Sequence, residues 1–173
     1  MGDFKMYRNF MSGASEKAVV VANKCLEKGY QMSAIKLEQL LILIQGAMLS
    51  LHQRPYFEGN ILALEHALII KEVDRDFLLN EFKEKMQVYV ATLQIEEEII
   101  DYIVEKYGNL DFFELKNTKT LNFLRETFSK EGEQSIVPNE AIEKVFTYYN
   151  FYELDCVKKQ EDSFQKKLER MYK

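Results

Sequence analysis

Scarcity is the first thing this sequence offers. Its 173 residues include only two prolines and seven glycines, which favours helices over turn-rich β architectures. Hydrophobic residues make up 47% of the chain beside 29% charged, enough apolar side chain to build a core and to exclude a disordered chain. The length suits one domain, expected to run over 1–173. Cys25 and Cys156 stand far apart and outside any CxxC or Cys/His spacing, so neither a disulfide framework nor a zinc site is expected. With no signal-peptide pattern either, the expected location is cytoplasmic. His52 and His66 are the only histidines, neither lies in an HExxH pattern, and no metal is expected. The formal net charge of −5 argues against binding nucleic acid through its phosphates, because that takes clustered cations. There is no P-loop, GxGxxG or GxSxG, hence no expected nucleotide, cofactor or nucleophilic centre.

What is present is an apolar run broken by two odd residues. Leu40 to Leu51 reads "LLILIQGAMLSL", with Gln45 and Gly46 near its middle. At about a dozen residues the run falls short of the roughly 20 that a membrane span needs, so no membrane is expected. A helix apolar all round is normally enclosed by neighbours, which makes this segment the central helix. Gly46 then marks a close approach by another element, and Gln45 needs buried partners.

Around it the sequence reads as helices with recognisable ends. Ser15 is a candidate N-cap for a first helix bearing Ala18, Val21, Ala22 and Cys25, and Gly29 is its stop. A helix is expected from near Arg75, carrying Phe77, Leu78, Phe82 and Met86. Another carries Ile95, Ile99, Ile103 and Tyr107 and stops at Gly108; its acids Glu96, Glu97, Glu98 and Asp101 are expected to face water. Asp111 and Glu114 form a capping box, with Leu110 and Leu115 in the staple positions. Leu121, Leu124 and Phe128 define the next helix, followed by a polar loop; Ile142, Val145, Phe146 and Tyr149 follow Pro138 in another. An amphipathic helix over about 151–172 repeats Leu154, Val157, Phe164, Leu168 and Met171. The fold class is mainly α, one compact helical domain around the apolar central helix. One short extended segment is expected near 56–70, where "QRPYFEGN" and "ILALEHALII" break the helical period.

Taken in order, these blocks resemble the Panacea antitoxin domain, whose members include SocA-type antitoxins and GepA-like phage-associated proteins. Ala22 and Asn23 match its opening helix. "MSAIKLEQL", Met32 to Leu40, is similar to its Met-Ser/Thr-x-x-Lys-Leu-Gln-Lys-Leu helix, and Gln45 and Gly46 match a following Gln-Gly. Pro55, Phe57, Ile61 and Ala63 match a Pro-Leu-Phe to Ala-Trp stretch. "YGNLDFFELKNTKTLNFLRE" and "IVPNEAIEKVFTYY" resemble the later blocks, so that the likeness covers roughly 16–150. Aromatics usual in the family stand here as Ile42, Leu64 and Phe123, and its Gly-Pro-Val as Ala67, Leu68 and Ile69.

The resemblance implies a non-enzymatic protein that neutralises a toxin by direct binding, in some members as an adaptor to a protease. The alternative within that scaffold is a phage or mobile-element inhibitor of a host defence protein. From a different class, a small helical enzyme would use Gln45, His66 or the acidic face. Two partner surfaces are candidates. One is a groove bordered by Lys36, Gln39 and Tyr56 beside the "RPYFEGN" turn; the other is the Phe164, Leu168 and Met171 stripe. Gln45, Gly46, Pro55, Phe57 and Ala63 are expected to be structural.

Overall fold

In a computed structural model, residues 13–73, 92–131, 133–149 and 161–172 are described, with side chains from 166 onward in the last segment. The chain is mainly α-helical, with seven helices and one small sheet among these residues. The helix expected from Arg75 lies outside them, as do Cys156, Leu154, Val157 and the Phe164 side chain.

Helix α1, Gly13–Glu27, buries Ala14, Ala18, Val21, Ala22 and Cys25 on one face. Ser15 is not its cap: the helix is already under way at Gly13, and the buried Ser15 hydroxyl donates to the Glu72 carbonyl at 3.4 Å. Gly29 adopts φ +75°, a left-handed stop in which Tyr30 N–H bonds Cys25 O at 3.0 Å and Gly29 N–H bonds Leu26 O at 3.0 Å.

Helix α2, Ala34–His52, starts where the Ser33 hydroxyl accepts from Lys36 N–H and ends on Gln53 at φ 53°. It is longer than its apolar run suggested, because polar Lys36, Glu38 and Gln39 are also buried in its first turns. By length and composition α2 could cross a membrane; here 83% of its most apolar window is buried inside the protein. Gly46 is the contact point with a neighbour, since a Cβ there would overlap the Phe146 ring.

The single extended segment of the sequence reading is a hairpin, β1 at Ile61–Ala63 and β2 at Leu68–Ile70, closed by Leu64 N–H on Ala67 O at 2.9 Å. A third strand, β3 at Ser135–Val137, begins at the last residue of the polar "EGEQS" stretch, and the antiparallel order is β2-β1-β3. Ile61 pairs with Ile70 and Val137, and Leu62 with Ile69 and Ile136. Alternation sends Ile61, Ala63, Leu68, Ile70 and Val137 into the core, while Ile136 stays 58% exposed.

Five further helices complete the shell. Helix α3 is Gln94–Tyr107, α4 Phe112–Lys116, α5 Lys119–Phe128 and α6 Asn139–Tyr148; α7 spans Glu161–Tyr172. The Asp111–Glu114 capping box is present on α4, with both reciprocal bonds made. Gly108 ends α3 at a right-handed φ of −64°. Helices α1, α3, α4 and α6 all pack on α2, with β2 against its N-terminal half.

Candidate functional site

The polar residues of α2 are the natural place to look for function, and each holds a piece of backbone. Lys36 is 6% exposed and its ammonium donates to Gln31 O at 2.7 Å and Gly108 O at 2.6 Å. It therefore ties the end of α3 to the loop before α2. Burial holds the Lys36 ammonium below its ordinary value, against the opposing pull of Cys25 and Asp111.

Glu38 and Gln39, both fully buried, close the outer edge of β2. Leu64 N–H and Lys71 N–H bond across the hairpin to Ala67 O and Asn60 O. By antiparallel alternation, Leu68 and Ile70 then turn their backbone groups away from β1. Glu38 Oε1 accepts from Ile70 N–H at 3.0 Å, and Gln39 Nε2 donates to Leu68 O at 2.8 Å. An acceptor and a donor on one helix thus occupy the edge positions that a further strand would pair with. Gln39 Oε1 is buried without a hydrogen-bond partner.

Gln45 does the same for the turn after α2. Its Oε1 accepts from Tyr56 N–H at 2.7 Å and Phe57 N–H at 3.2 Å, and its Nε2 donates to Phe57 O at 3.2 Å. The turn is folded back over the helix, so Tyr56 and Phe57 are 3% exposed and Pro55 is exposed.

The groove expected from Lys36, Gln39 and Tyr56 does not form. The physical reason is that all three are buried: two are spent on backbone carbonyls, and the Tyr56 ring lies beneath the Lys17 ammonium, 4.6 Å from its centroid. The Tyr56 hydroxyl lacks a hydrogen-bond partner and stays protonated well above its ordinary value, through burial and then the Glu96 charge.

Glu96 was expected to face water with its acidic neighbours, but it is 4% exposed. Its Oε2 accepts from Lys17 Nζ at 3.1 Å and its Oε1 from Leu93 N–H at 3.3 Å, so it caps α3 and bolts it to α1. With both oxygens engaged it offers no free base. Glu97, Glu98 and Asp101 do face outward. Cys25 is fully buried, and burial pushes its thiol up to about 11, away from nucleophilic use. His52 and His66 are exposed.

The other candidate surface divides in two. Leu168 is 1% exposed and docks α7 on the body, helped by Tyr172, whose ring centroid is 5.7 Å from Phe128 and whose hydroxyl takes a bond from Lys144 Nζ at 3.3 Å. Met171 remains 53% exposed. Between α6 and α7 runs a groove of about 450 Å³ lined by Glu143, Lys144, Thr147, Tyr148, Lys167, Leu168 and Met171. A second pocket adjoins it on α7, lined by Lys166, Lys167, Arg170 and Met171. Spacing in the sequence marks the Leu168–Met171 stripe; it gives no sign of Lys144 and Tyr148, which arrive from α6.

No protein-family model, no curated protein and no solved structure matches this chain.

Proposed function

We propose that this is a non-enzymatic, antitoxin-like protein that neutralises a protein partner by direct binding. The observation that carries the reading is the employment of the residues most specific to the resemblance. Lys36, Gln39, Gln45 and Gly46 all serve the fold: three hold backbone groups, and Gly46 admits Phe146. A shared pattern used for internal fixation fits a common scaffold whose binding surface varies, which is what proteins directed at unrelated toxins need. Two of the polar groups that the enzyme alternative would draw on are occupied: Glu96 by Lys17 and Leu93, Gln45 by the Tyr56–Phe57 turn. Apolar side chains standing in water, Phe113 at 65% and Met171 at 53%, supply anchors for a partner.

The test is co-expression with the product of the adjacent gene in a bacterial host. Growth arrested by that product alone and restored by this chain, with the two proteins co-purifying, is the expected result. A product that is harmless, or arrest that persists while this chain is present and soluble, overturns the reading. Toxin abundance separates modes of action, since hand-over to a protease lowers it and sequestration does not.

A further inference from the structure

We propose that the groove between α6 and α7 docks an acidic, amphipathic helical segment of the partner protein, an assignment that rests on the protein-binding reading above. The charge on this face runs against the charge of the chain. The whole protein carries a formal −5, yet Lys144 and Lys167 line the groove with Glu143 as the one acid among its described lining residues, and Lys166 and Arg170 stand on α7 in an adjoining pocket that shares Lys167 and Met171. Cations so placed attract a segment of opposite sign and orient it on approach. The floor is apolar: Leu168 is held in the body and Met171 stands 53% exposed beside it.

Two packed helices leave a trough along their common direction, and an amphipathic helix laid in such a trough presents apolar side chains at i, i+3 and i+4 to the floor and its flanks to the rim. Acidic flanks would meet Lys144 on one side and Lys167 on the other. A membrane is the poorer occupant. Leu168 is already committed to the core, so α7 keeps Met171 as its one largely exposed apolar residue among those described, little area for insertion between lipids. A second copy is the other competitor, because the outward acids of α3, Glu97, Glu98 and Asp101, could meet the α7 cations.

The probe is a synthetic helical peptide of about 18 residues with leucines at i, i+3, i+4 and i+7 spacing and glutamates on both flanks. Its control carries lysine at every glutamate. Fluorescence anisotropy is read with the full chain, with K166E/K167E/R170E, whose three sites are exposed, and with Met171→Ala; circular dichroism checks that each variant is folded. Expected are binding of the acidic peptide alone, weakening at high salt, and a loss of about tenfold or more in the charge-reversed variant. No binding, equal binding of both peptides, or full affinity in the charge-reversed variant overturns the proposal. So does a concentration-dependent dimer in sedimentation that the same variant abolishes, or capture by phosphatidylserine vesicles that it prevents. Growth rescue keeps this failure distinct from that of the wider reading. Rescue by the wild-type chain that survives K166E/K167E/R170E removes the groove and leaves the antitoxin-like function standing; absence of rescue by the wild type removes that function.

Discussion

Gly46 shows how little room the central helix leaves. A glycine inside a helix costs about 1 kcal/mol against alanine, so its presence needs a return, and the return is the Phe146 ring seated against the α2 backbone. Replacing it by a larger residue forces either the ring or all of α6 to move. Gly46→Leu is expected to lower the stability by about 1 to 3 kcal/mol in urea titration, even though leucine is the better helix former. Pairing it with Phe146→Leu should recover part of the loss, since the two residues share one contact. A Gly46→Leu chain as stable as the wild type would show that the helices separate freely at this point.

At the scale of elements, the hairpin depends on α2 more than on its own turn. Glu38→Ala leaves the Ile70 N–H buried without its acceptor, and Gln39→Leu does the same to the Leu68 carbonyl; each is expected to cost about 1 to 3 kcal/mol. The more specific readout is amide hydrogen exchange. Ile70 should exchange faster in Glu38→Ala than in the wild type, while amides in α5 and α6 change only as global stability does. Unchanged protection at Ile70 would mean that the strand is held by packing alone.

Elements were legible in proportion to how local their causes are. The Asp111–Glu114 box acts across three residues and is readable from spacing; so is the Gly29 stop. Strand β3 was not, because the three residues Ser135 to Val137 are too few to show a period, and they become a strand only when β1 arrives to pair with them. Glu96 read as a solvated acid because Lys17 lies 79 positions away. The same applies to Glu38 and Gln39, whose partners stand 32 and 29 residues downstream. Periodicity places a residue on a face; it is silent about which backbone group waits there.

For the molecule as a whole, burial of titratable groups fixes its behaviour in alkali. The Cys25 thiol is raised from 9.0 to about 11 in the folded protein, so between those values the folded chain holds a proton that the unfolded chain has released. Stability contributed by the neutral thiol is therefore present below pH 9 and lost as pH rises to about 11, on the order of 2 to 3 kcal/mol in all. Tyr56, also raised, adds to the loss above its ordinary value of 10.0. Lys36 works in the opposite sense: its lowered value makes the unfolded chain the better proton binder below 10.5, which favours folding as pH rises. The Cys25 share is isolated by measuring urea stability from pH 8 to 11 in the wild type and in Cys25→Ala. The variant is expected to start lower, from lost packing, and to fall less steeply; parallel curves would count against the buried thiol as a cause.

The closed edge of β2 also bears on how the chain is made. "ILALEHALII" is largely apolar, with isoleucine at both ends, and the paired strands it forms can add to other copies whenever their backbone lies open. Glu38 and Gln39 precede it in the chain, so on a ribosome the two groups that occupy its edge have been synthesised before the strand appears. The helix that later forms the centre of the protein is thereby available to shield its stickiest segment from neighbouring nascent chains.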